Sequence, residues 1–184
     1  MTIVDNDRLL ALSEDEVVTH SYLKHVPLPT GGTLGLITLD NGKDYKRPST
    51  LGPRTLHELS GVLDTLKTEA AAGTVQAVAI TGKEYCFAAG ADLSQAAAVP
   101  SRDVAHDLAA LGHATLRKLS DLGVPSFAFI NGIALGGGLE IGLHCTYRVF
   151  SSAAQGIGLG QGGTVIWENP NFSKSAERSA RKGA

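Results

Sequence analysis

Two segments of small residues could bring main-chain N–H groups against a ligand. The first is Phe87-Ala88-Ala89-Gly90-Ala91-Asp92-Leu93. The second is Asn131-Gly132-Ile133-Ala134-Leu135-Gly136-Gly137-Gly138-Leu139-Glu140. Each follows an apolar run of strand length, residues 75–81 in one case and 127–130 in the other. Side chains this small let backbone approach a bound molecule closely. Two fixed N–H donors aimed at one carbonyl oxygen would stabilise negative charge that gathers there during a reaction. One such donor is worth roughly 3–4 kcal/mol at a transition state. A helix opening at the second donor would add its positive end. Either segment alone reads equally well as a plain turn from strand to helix.

Glu140 is the only carboxylate between residues 124 and 145, in an otherwise apolar stretch. Such a setting predicts a raised pKa, which suits a group that takes and returns protons near neutrality. The plainer alternative is a glutamate that faces solvent from an ordinary helix.

The elements that must hold these segments follow from periodicity and punctuation. Residues 1–15 read as a polar lead-in. Residues 17–22 and 34–39 read as strands joined by the Pro- and Gly-rich turn 27–32, hence a hairpin. A loop over 40–48 then carries Lys43, Lys46 and Arg47. Pro53 suits a first helical turn, and Leu56, Leu59, Val62, Leu63 and Leu66 continue it at helical spacing to about 71–73. Residues 75–81 form a buried strand. Ser101 offers an N-cap to a second helix whose stripe is Leu108, Leu111, Leu116 and Leu119. A strand over 125–130 leads through the glycines to a helix over 139–145, and 147–150 make a short strand. This alternation implies an α/β chain with crossover connections. A core over 16–150 is expected, with 151–184 a Gly-rich and polar tail.

Taken together, in this order and separation, the two segments resemble the enoyl-CoA hydratase/isomerase (crotonase) family over about residues 33–149. The resemblance implies a crotonase-like spiral of ββα units, of the kind shared with ClpP, left incomplete at its C-terminal end. It makes the N–H groups of Ala91 and Gly137 the oxyanion donors and lays Ala89 and Gly90 along the acyl-CoA thioester. Asp92 stands as a ligand-side residue or as the cap of the following turn. The 40–48 loop falls where the family meets coenzyme A, so Lys43, Lys46 and Arg47 would face its phosphates. Glu140 would hold and activate the attacking water. The first half also looks like the hydratase portion of multifunctional fatty-acid-oxidation proteins. Coenzyme A enters as part of the substrate thioester, and no separate cofactor is implied. Family members are commonly trimers or pairs of trimers, so a homo-oligomer is expected.

One departure stands out. Family hydratases use a second glutamate a short distance on, whereas the matching stretch here, Gln155-Gly156-Ile157-Gly158-Leu159-Gly160, has no carboxylate. The nearest is Glu168, in a different context. The chain is also shorter than the family's domain and is expected to lack its C-terminal helices. Two readings stay open: hydration of a 2-enoyl-CoA in β-oxidation, or isomerisation through the same enolate; and an acyl-CoA-binding or oligomerising relative without a complete acid/base pair.

Bulk properties exclude other classes. At 184 residues, 43% hydrophobic and 18% charged, the chain can bury a core and is no disordered polymer. A net charge of −2 argues against nucleic acid as the main ligand. Cys86 and Cys145 have neither disulfide-framework nor zinc spacing, which fits a reducing, cytoplasmic setting. No basic, apolar leader and no membrane span is evident. Gly158-Leu159-Gly160-Gln161-Gly162-Gly163 satisfies GxGxxG, but no helical pattern follows it. His106 with His113 lacks a third metal ligand, and His144 beside Cys145 points elsewhere on a helix.

Overall fold

The computed structural model describes residues 6–44, 46–91, 100–152, 154 and 157–158. Strands β1 (His20–Pro27) and β2 (Thr33–Asp40) form the expected hairpin, paired in register from His20 opposite Asp40 to Pro27 opposite Thr33. The turn closes with the Leu28 amide on the Gly32 carbonyl at 2.9 Å. The first strand begins three residues later than its apolar run suggests and continues through Pro27. Being at the edge of the sheet, it tolerates the proline's missing donor.

Helix α2 (Pro53–Ala71) follows α1 (Asn6–Ala11) in chain order and buries Leu56, Leu59, Leu63 and Leu66 completely. Burial of a leucine contributes roughly 1.5–3 kcal/mol. Those four side chains therefore outweigh the poor helix propensity of Thr55, Gly61, Thr65 and Thr68, each within about 1 kcal/mol of alanine. The helix has no side-chain cap of its own, because Gly52 stands at that position. Glu16 supplies the acceptor from a distance: its carboxylate takes the amides of Arg54 at 2.8 Å and Thr55 at 3.0 Å. The α1 segment is a difference from the polar lead-in. Leu9 is only 2% exposed and joins the core, and one turn is too short to show a period.

Strand β3 (Ala77–Gly82) runs parallel to β2 and β5 (Ser126–Ile130), and β7 (Tyr147–Phe150) runs parallel to β5 at the far edge. The five-stranded order is β1-β2-β3-β5-β7. A second, three-stranded sheet is made of β4 (Cys86–Ala88), β6 (Ile133–Leu135) and β8 (Ile157–Gly158), in that order and all parallel. Each strand of the small sheet directly succeeds one of the large sheet. Helix α3 (Arg102–Ser120) follows β4, and α4 (Gly137–His144) follows β6. The chain is thus a spiral of ββα units, the architecture implied by the family resemblance. Phe87 and Ala88, read as loop, are strand residues and fully buried. The strands β6 and β8 have two or three residues each, too short for alternation to register in sequence. Ser101 caps α3 as expected, its hydroxyl accepting from the Val104 amide at 3.3 Å. Leu111, Leu116 and Leu119 of its stripe are buried, and Leu108 is partly so. Among the described residues, no helix is long and apolar enough to cross a membrane.

Candidate active site

The ends of β4 and β6 bring the two small-residue segments into contact. Gly90 sits at φ +76°, a left-handed conformation that costs other L-residues about 1–2 kcal/mol. A Cβ placed on it would lie 2.8 Å from the Gly137 nitrogen and 2.8 Å from the Leu135 oxygen. No side chain fits between the two loops there. A Cβ on Gly138 would collide with the Ala88 carbonyl, so the start of α4 also packs directly on β4. Glycine at these two positions is what allows the backbones to touch.

Gly137 is the first helical residue of α4, so its N–H is one of the donors a helix leaves without an intrahelical acceptor. The ladder begins with Glu140, whose amide donates to Gly136 at 3.0 Å. Helix α4 therefore starts two residues earlier than the apolar run at Leu139 suggests. Glu140 lies in its first turn and is 2% exposed. Three residues after Gly137, it lies one turn along the same side of the helix.

A third segment, absent from the sequence reading, holds the first loop. Residues 49–51 lie beside 89–90, with the Ala89 amide donating to the Ser49 carbonyl at 2.8 Å. The Leu51 amide donates to the Gly90 carbonyl, also at 2.8 Å. Ala89 is therefore committed to this ladder through its own N–H. The Gly90–Ala91 peptide is oriented by its carbonyl. Ala91 is half-buried and packs against the core. Asp92 lies outside the described residues, as does the rest of the loop through residue 99.

Lys43, Lys46 and Arg47 are all exposed on the 40–48 loop. That loop closes around another cation, Lys83 at the exit of β3. Its Nζ donates to Asn41 Oδ1 at 2.6 Å and to the carbonyls of Arg47, Lys43 and Asp44 at 2.7–2.9 Å. Asn131 bridges the exits of β3 and β5: its Nδ2 donates to the carbonyls of Gly82 at 3.0 Å and Lys83 at 2.7 Å. Neither Lys83 nor Asn41 carries a sequence signal. A lysine after a strand looks like any surface lysine until its partners are known.

Among the described residues, the other titratable groups do not form a competing centre. Cys86 is buried and its thiol is pushed up by desolvation, which outweighs the Ser49 amide and Lys83 acting the other way. Burial pushes Cys145 up to about 12, against a Ser126 hydrogen bond and Arg148. Its thiol is protonated at neutral pH, so His144 and Cys145 make no nucleophile pair. His106 is exposed and approaches Asp107 at 3.7 Å. Among the described residues, no three metal-binding side chains cluster.

Comparison with known proteins gives this arrangement its class. Residues 30–166 match the model of the family described as enoyl-CoA hydratase/isomerase. The chain belongs to that family. It is 33% identical over 151 residues to a short-chain-enoyl-CoA hydratase of Clostridium acetobutylicum, a match covering 77% of this chain and 55% of that one. It is 39% identical over 94 residues to the fatty acid oxidation complex subunit alpha of Shewanella frigidimarina, covering 51% of this chain and 13% of that subunit. The crystal structure of an enoyl-CoA hydratase from Bacillus anthracis superposes with a TM-score of 0.61 at 30% identity, covering 77% and 50% of the two chains. The chain thus spans about half the length of these hydratases.

Proposed function

We propose that the chain binds an acyl-CoA thioester between the two glycine-bearing loops and hydrates a 2-enoyl-CoA to the 3-hydroxyacyl-CoA, as in fatty-acid β-oxidation. The approach of Gly90 to the Gly137 nitrogen carries this reading. Bond geometry places the Ala91 nitrogen no more than about 3.7 Å from the Gly90 Cβ position. The Ala91 and Gly137 nitrogens are then at most about 6.5 Å apart, a range that includes the separation a shared oxygen requires. Two N–H donors sharing one oxygen, each at about 2.9 Å, need their nitrogens no more than roughly 6 Å apart.

In this reading Glu140 accepts the proton of a water whose oxygen bonds to the β-carbon. The electron pair of the double bond moves through the α-carbon to the thioester oxygen, where the two amides and the start of α4 hold the charge. The enolate collapses when Glu140 returns that proton to the α-carbon, which restores its carboxylate and completes the addition of water. Coenzyme A contributes its phosphates as a handle for Lys43, Lys46 and Arg47. A homo-oligomer, trimeric or hexameric, and a cytoplasmic setting belong to the same proposal.

The stretch 155–160, which has no carboxylate, favours a second reading: a protein that binds acyl-CoA with little turnover, or isomerises it. The test is the loss of crotonyl-CoA absorbance with wild type and Glu140→Gln. Hydration by the wild type that falls about 10²–10⁴-fold in the variant is expected for a general acid/base. Binding of an acyl-CoA analogue without turnover would transfer the assignment to the second reading, and undiminished turnover by Glu140→Gln would remove Glu140 from it.

A further inference from the structure

We propose that Lys83 is a positioning residue that shapes the 40–48 loop for the phosphates of a coenzyme A thioester, an inference that rests on the function proposed above. An ammonium group has three N–H donors. Four acceptors surround this one at 2.6–2.9 Å, three of them main-chain carbonyls of the loop itself. The carbonyls of Lys43 and Arg47 are thus turned inward onto one cation, while the side chains of both residues are exposed. Without the cation these oxygens would face one another, and the loop would open.

Lys83 is itself held firmly. Its amide donates to the Leu39 carbonyl at 3.0 Å, and its carbonyl accepts from Asn131 at 2.7 Å. Asn41 adds a second clasp, its Nδ2 donating to the Pro48 carbonyl at 3.0 Å and the Arg47 carbonyl at 3.3 Å. The far end of the same loop runs into residues 49–51, which hold Ala89 and Gly90. One lysine therefore ties the loop that would meet the phosphates to the strand that leads into the oxyanion segment.

The charge pattern points to an anionic ligand rather than a merely structural clasp. Lys43, Lys46, Arg47 and Lys83 face Glu84 and the two loop carboxylates, Asp40 and Asp44, an excess of one positive charge in a chain of net charge −2. Both loop carboxylates sit in local turns, taking the Gly42 and Lys46 amides at 2.9 Å. Gathering like charges around the half-buried Lys83 costs Coulomb energy that a bound pyrophosphate would offset.

The experiment compares wild type with Lys83→Met, which keeps the chain length and removes the charge. Amide hydrogen exchange on the free protein should accelerate at least tenfold over residues 41–48, with α2 and β3 unchanged. The KM for crotonyl-CoA should rise about tenfold with kcat within twofold, whereas the KM for crotonyl-pantetheine, which lacks the nucleotide phosphates, should move less than twofold. Equal changes for both thioesters, or unchanged exchange in the loop, would overturn the proposal. A wild type that turns over neither thioester would count against the functional reading, and the exchange comparison would still decide whether Lys83 holds the loop. Should Lys83→Met fail to fold, Asn41→Ala removes one acceptor and the second clasp, and the same outcomes decide.

Discussion

The amide of Leu51 donates to the carbonyl of Gly90 at 2.8 Å, and this bond orients a peptide group whose other end is the N–H of Ala91. In a trans peptide the C=O and N–H point in opposite directions. No cis peptide occurs among the described residues. Pinning the Gly90 oxygen toward residue 51 therefore turns the Ala91 N–H away from it. A donor aimed before substrate arrives needs no reorganisation during the reaction, which is where such groups derive their effect. In the proposed enzyme the direction of the first oxyanion donor is thus set by a buried residue of a different segment.

Gly90 is the position at which this arrangement is most fragile. Gly90→Ala would place a methyl group at φ +76° and 2.8 Å from both the Gly137 nitrogen and the Leu135 oxygen. The left-handed conformation alone costs about 1–2 kcal/mol, and the two backbone contacts add to it. Denaturant unfolding should show a loss of at least about 2 kcal/mol. Acyl-CoA binding by calorimetry should fall even under conditions where the variant remains folded, because the two loops are pushed apart. An alanine variant of unaltered stability would mean that the loops are not in contact.

Glu16 acts as the missing cap of α2. Glu16→Ala removes the acceptor of the Arg54 and Thr55 amides and of the Thr55 hydroxyl at 2.7 Å. Loss of a helix cap typically costs about 1–2 kcal/mol. The expected midpoint shift on thermal unfolding is a few degrees, with the KM for thioester unchanged, since this end of α2 carries no proposed ligand contact. A shift confined to KM would contradict the assignment.

His144 should make stability depend on pH. Burial lowers its pKa from 6.5; His113 and Arg117 on α3 act in the same direction, and Asp121 opposes them. The unfolded chain therefore binds a proton at this side chain before the folded chain does. The contribution of His144 to stability is fully present above about pH 6.5 and is lost as pH falls through the interval between 6.5 and the lower folded value. Substitution by glutamine leaves no group to titrate, so the difference in unfolding free energy between wild type and His144→Gln should vary with pH over that interval. A constant difference would show that His144 is protonated as readily folded as unfolded.

Much of the scaffold could be read before any coordinates. The leucine stripes of α2 and α3, the Ser101 cap, the hairpin and the strands β3, β5 and β7 are local patterns, within a residue or three of their observed bounds except at the end of β1, which runs five residues further than its apolar run. So were the two small-residue segments and the lone carboxylate Glu140, whose burial agrees with its apolar surroundings. The α1 helix, β6 and β8 were not legible, because a single turn or a strand of two or three residues has no period to detect. Leu51, Asn41 and Lys83 were equally silent. Their roles consist entirely of hydrogen bonds to residues about 36–42 positions away, or to a loop whose own path was unknown.

Side-chain type and spacing thus determined which faces are apolar, which two segments are free of bulky side chains, and which carboxylate stands in apolar surroundings, because burial and conformational freedom follow from local chemistry. Which amide faces which carbonyl was settled only by folding. Gly90 meeting Gly137, Leu51 gripping Gly90 and four oxygens closing on Lys83 each depend on the relative placement of strands far apart in sequence. A hydrogen bond lost by a displacement of about 1 Å leaves no trace in a pattern of residues.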